Sequence, residues 1–137
     1  MKNMRRADIP QYSASGRERL QHLAEFLDNV PYGMLTFTRW YGDRSGCAVG
    51  LAAACDPWFQ AQGLNLIGDG RLNECRPAFE DHSEWPAVVR FFDISLGVAL
   101  DLFTAGGYGG NMRPEPSAVA EKIRAHLAEC PAEVVAA

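Results

Sequence analysis

No stretch of this chain approaches the roughly 18 consecutive apolar residues of a membrane-spanning helix, so no span is expected. The basic opening Met1-Lys2-Asn3-Met4-Arg5-Arg6 runs into Ala7-Asp8-Ile9-Pro10 rather than an apolar stretch. A secretory signal is therefore not expected, and the expected location is cytoplasmic. The four cysteines, Cys47, Cys55, Cys75 and Cys130, show no CxxC spacing. Cys47 and Cys55 on one helix would stand about 12 Å apart along its axis, too far for a disulfide. Free thiols in a reducing compartment are the expectation. A net charge of −4 argues against direct nucleic-acid binding, which needs a clustered basic face. The Gly106–Gly110 run lacks the GKS/T ending and the preceding strand of a phosphate loop. Internal repeats and linkers are also missing. Lysine is scarce: eleven of the thirteen basic residues are arginine, and with abundant alanine this reads as a GC-rich bacterial or phage coding sequence.

What remains is enough for one core. The 137 residues are 47% hydrophobic and 22% charged, so a chain of this length buries about two thirds of its unfolded surface as a single domain. We place that domain at 15–131, with a loose arm at 1–14 and a frayed tail at 132–137. Its centre is Gly46-Cys47-Ala48-Val49-Gly50-Leu51-Ala52-Ala53-Ala54-Cys55, ten uncharged residues none larger than leucine. A solvent-facing helix needs polar residues on one face, so this one is expected to be buried. Before it, Ser15 and Glu18 match a capping box, followed by Leu20, Leu23, Leu27 and Val30 at helical spacing up to Pro31. Asp56-Pro57 ends the central helix and caps a short one that stops at Gly63. Residues 64–67 and 71–79 read as the two strands of a hairpin. Ser83 and Ser95 open two further helices. The run 106–111 reads as a flexible loop, and a last helix carries Val119, Ile123, Leu127 and Cys130 on one face. The expected fold is mainly α: five or six short helices around the buried central one, with one small β-hairpin.

The order of these landmarks carries a resemblance. Gly46-Cys47-Ala48-Val49-Gly50, Asp56-Pro57-Trp58-Phe59, Gly63-Leu64-Asn65-Leu66, Pro77-Ala78-Phe79, Phe91-Phe92-Asp93-Ile94-Ser95, Leu102-Phe103 and Val119-Ala120-Glu121-Lys122-Ile123 together resemble a group of small uncharacterised bacterial and phage helical proteins. The resemblance covers roughly residues 32–127. It implies a helical domain from a mobile element, and no catalytic residue.

Candidate sites follow from residue type. Trp40, Tyr41 and Arg44 share one loop, and these three residue types dominate interface hot spots. Tyr108, flanked by glycines, is expected to sit on a loop that moves and closes on a partner. Glu80, Asp81 and Glu84 form the most acidic stretch; from Glu74 to Asp93 there are five acidic and two basic residues. Such a segment suits docking to a basic partner surface. The expectation is a non-enzymatic protein-protein interaction module, phage or mobile-element encoded, one version being an inhibitor of a host defence protein. Two alternatives stay open. One is a small thiol-dependent transferase or hydrolase using Cys47, activated at a helix N-terminus, with His22, His82 or His126 as base. The other is a homo-oligomeric structural protein. Cys75 and His82 lack the paired spacing of a zinc site, so no metal is expected, and no cofactor.

Overall fold

A computed structural model describes residues 13–69 and 74–129 of the chain. Six α-helices are found among them: α1 (Gly16–Leu27), α2 (Ala48–Cys55), α3 (Pro57–Ala61), α4 (Glu84–Phe92), α5 (Leu96–Phe103) and α6 (Pro116–Glu129). Five strands accompany them: β1 (Tyr41–Gly42), β2 (Ser45–Gly46), β3 (Asn65–Asp69), β4 (Glu74–Phe79) and β5 (His82–Ser83). All pair antiparallel in one sheet of order β2-β1-β4-β3, with β5 paired to β4 as well. The fold is therefore α+β, which corrects the mainly-α expectation. The hairpin expected at 64–79 is present as β3–β4, but it is the nucleus of a larger sheet. The three added strands are two residues long, too short for any alternation of apolar and polar positions to announce them.

The helix ends follow their chemistry. Ser15 and Glu18 form the reciprocal capping box on α1, Asp56 Oδ1 accepts from the Trp58 N–H at 2.9 Å with Pro57 at the first helical position, and Ser95 caps α5. Ser83 precedes α4 without capping it through its side chain, and its backbone pairs with Ala78 in the sheet. The central helix begins two residues later than the apolar block suggests. Gly46 belongs to β2, and Cys47 is the N-cap, its Sγ accepting from the Gly50 N–H.

That helix is buried as its composition demands: Ala48, Val49, Leu51 and Ala52 have no exposed surface. It packs on the sheet through β3 and β4, beside α1 and α3. Leu20, Leu23 and Leu27 of α1 and Val119, Ile123 and Leu127 of α6 meet on the other side of the core, where α1 and α6 pack along each other. The two helices are also joined by polar contacts, from Arg17 Nη2 to the Leu127 carbonyl at 2.8 Å and between Arg124 and Asp28. Phe59, Phe91, Phe92 and Phe103 fill the centre. Leu96, the first residue of α5, is 51% exposed. Expectations for the arm up to residue 12, for Cys130 and for the tail lie outside the described residues. Ala14, assigned to that arm, is buried, with its N–H on Gln62 Oε1 at 2.7 Å. Among the described residues no helix is long and apolar enough to cross a membrane.

Candidate partner-binding site

The aromatic segment 37–40 has its path set by the start of α2. Thr36 N–H bonds the Gly46 carbonyl and Gly46 N–H the Met34 carbonyl, so residues 34–36 run beside β2. The chain then crosses over α2, where the Trp40 carbonyl accepts the Cys47 N–H at 3.0 Å. This crossing turns Trp40 toward Trp85 in the first turn of α4, with ring centroids 4.7 Å apart and planes inclined by 60°. The paired rings form part of the wall of a cleft of about 220 Å³, lined also by Phe37, Thr38, Arg39, Cys47, Phe103 and Thr104. Four of its eight lining residues are aromatic and the other four carry polar groups or the thiol, so it offers both stacking surface and hydrogen-bonding groups.

Arg39 and Cys47 are the titratable groups in this lining, and they differ in state. Cys47 is 4% exposed, and burial pushes its thiol up to about 11 against the small downward pull of the Gly50 and Val49 N–H groups. A neutral thiol that caps a helix is a poor nucleophile at neutral pH. The position at a helix N-terminus, which suggested activation, is outweighed by desolvation. Cys55 is exposed at the other end of α2. In the native protein Cys55 is therefore expected to react with an aromatic disulfide reagent, while Cys47 reacts only on unfolding. Mass spectrometry of the labelled peptides decides between them, and rapid native labelling of Cys47 would revive the thiol-enzyme reading. Arg39 carries its charge differently. It donates from Nη1 to the Gly42 carbonyl at 3.2 Å and, among the described residues, meets no carboxylate.

The remaining expected residues do not gather into one patch. Tyr41 is half-buried in β1, opposite Gly46 on one side and Cys75 on the other. Arg44 is exposed in the two-residue turn of the β1–β2 hairpin, where Asp43 and Arg44 both have positive φ, 51° and 63°. Glu80 and Asp81 form the turn between β4 and β5, and Glu84 opens α4 beside Trp85. Two of these three carboxylates already have cations: Glu80 takes Arg90 at 2.6 Å and Glu84 takes Arg76 at 3.6 Å. Tyr108 is not on a swinging loop. Residues Ala105–Tyr108 form a 3-10 turn in which the Tyr108 hydroxyl donates to the Leu102 carbonyl at 2.8 Å. Lys122 Nζ lies 4.6 Å from the Tyr108 ring centre and donates to the Asp101 and Gly107 carbonyls. Tyr108 packs on Phe37, 5.6 Å between centroids, and so supports the cleft wall from behind.

Sequence reading missed Phe37, Arg39, Trp85 and Phe103 as site residues. Trp85 carried the one available signal, a tryptophan in the first turn of a helix.

Two other polar constellations stand apart from the cleft. His22 Nε2 lies 3.1 Å from Asp56 Oδ2, and its ring stacks on Trp58 at 4.1 Å. Since Asp56 also caps α3, this pair ties α1 to α3. Arg19 is 6% exposed on the floor of an open groove that Ser13, Phe79, Glu80, His82, Arg90 and Asp93 also line. Its guanidinium faces Phe91 at 4.3 Å and Phe79 at 5.2 Å and donates to the Phe91 carbonyl, Gln62 Oε1 and Ser13 Oγ. Burial lowers its pKa, while Glu80 and Glu18 raise it.

Comparison of the chain with protein-family models, curated proteins and solved structures gives no match, and the resemblance to small bacterial and phage proteins receives no support from them.

Proposed function

We propose that this protein is a non-catalytic binding module that captures another protein through the Trp40–Trp85 cleft. The observation that carries the reading is an open, aromatic-walled cleft whose thiol is a helix cap and whose cation has no acidic partner among the described residues. A partner side chain seated there would be shielded by Phe37 and Phe103 and anchored against the paired tryptophans, the residue type most enriched at binding hot spots. The acidic segment contributes less, because Glu80 and Glu84 are matched internally. Inhibition of a host defence protein is one version of this function, reached through the cleft rather than through charge alone.

The test is affinity capture from host lysate with three variants. Trp40→Ala and Trp85→Ala are each expected to weaken the partner by about 2 kcal/mol, roughly 30-fold in Kd. Asp81→Arg is expected to retain it. A partner lost with Asp81→Arg but kept by both tryptophan variants would move the site to the hairpin turn and overturn this reading.

A further inference from the structure

We propose that the side chain taken by the cleft is aromatic with a carboxylate beside it, presented on a peptide segment of the partner. The inference rests on the binding reading above and names its ligand chemistry.

Size argues for one ring. An apolar cavity of about 150 Å³ holds benzene, so a cleft of about 220 Å³ has room for a ring and a small polar group. Wall geometry argues for the same ligand. Trp40 and Trp85 pack on each other at 4.7 Å with their planes inclined by 60°, so together they form one angled aromatic wall on which a ligand ring can lie.

Charge sets the second half of the ligand. With Cys47 neutral, Arg39 is the sole ionised group in the lining. One of its nitrogens is engaged by the Gly42 carbonyl, and the rest of the fork is available to bind a carboxylate. The threonines offer less. Thr104 Oγ1 already donates to the Leu100 carbonyl, and Thr38 Oγ1 shares a hydrogen bond with Thr36. A cationic anchor would meet Arg39 with like charge. The cleft therefore selects against the basic partner that the acidic segment suggests.

The full chain carries three tryptophans, Trp40, Trp58 and Trp85, and Trp58 is buried against His22. Their indole N–H signals give two reporters in the cleft and one control. The probes are N-acetylphenylalanine, its neutral amide and phenethylamine. The carboxylate is expected to shift the Trp40 and Trp85 signals, leave Trp58 in place and bind about tenfold more tightly than the amide. Arg39→Gln should erase that preference, and unchanged Trp40 and Trp85 signals in the ligand-free variant show that the cleft is still formed. If the amide or the amine binds as well as the acid, the carboxylate inference is wrong and the cleft remains a binding site. If no aromatic probe at millimolar concentration moves either cleft signal, both readings fall.

Discussion

Gly50→Ala is expected to destabilise the protein by about 3 kcal/mol, although the substitution improves helix propensity by about 1 kcal/mol. A β-carbon at this position would lie 1.8 Å from the Trp40 carbonyl oxygen and 2.7 Å from its carbon. Both are backbone atoms, so no side-chain rotation relieves the overlap. The same carbonyl holds the Cys47 N–H, so pushing it away also loosens the cap of α2. Gly97, near the start of α5, is the control: the nearest atom to an added β-carbon is Ser95 Oγ at 3.9 Å. Gly97→Ala should stabilise by about 0.5–1 kcal/mol. Urea unfolding of both variants separates the effects by sign. Equal midpoints would mean that the chain does not cross α2 so closely. Because Trp40 rides on this crossing, Gly50→Ala should also blunt the cleft.

Arg19→Met is expected to cost roughly 2–3 kcal/mol, although Phe79 and Phe91 would pack on an apolar side chain. Burying a charge is unfavourable, and replacing a buried ion by a hydrophobe is often neutral. Here the balance turns on a particular acceptor. The Phe91 carbonyl lies in the last turn of α4, where carbonyls lack intrahelical donors, and Arg19 Nη1 reaches it at 3.0 Å. Leaving that carbonyl dry costs about 1–3 kcal/mol. Stacking on Phe91 and Phe79, and a cation at a helix C-terminus, add about 1 kcal/mol between them. The loss of Gln62 as a partner matters less, since Ala14 N–H still satisfies its Oε1. Arg19→Lys should recover little, because a single ammonium cannot reach three acceptors on two sides of a plane. Thermal unfolding of Arg19→Met at or above the wild-type midpoint would reject this account.

The parts of the fold that were legible in the sequence are those set by local chemistry. Ser15 with Glu18, Asp56 with Pro57, and Ser95 each mark a helix start by supplying an acceptor to exposed N–H groups. Gly63 marks a stop, with φ of 94°. The buried helix was legible from composition alone. The parts that were not legible depend on distant partners. Strand β1 joins the sheet where Tyr41 meets Cys75 of β4, and the turn of its hairpin with β2 is Asp43-Arg44, without the glycine or asparagine that normally signals two positive-φ residues. The site shows the same division. Trp40 was visible as a hot-spot residue type, but its cleft is made with Trp85, forty-five positions away in the chain. Tyr108 looked mobile because glycines surround it; Lys122, fourteen residues later, holds it.

The pairing of α1 with α6 has a consequence for synthesis. The apolar stripe of α1 is complete once residue 27 has been made, yet its neighbours Val119, Ile123 and Leu127 come about a hundred residues later. At roughly 5–20 residues per second, the nascent chain carries Leu20, Leu23 and Leu27 without that cover for about 5–20 s. During that interval α1 has α2 and then α4 to pack against, but not α6, the helix it touches most. The face of α1 that α6 covers in the finished fold is thus bare while the chain between them is made, and it is a surface that a ribosome-associated chaperone would meet.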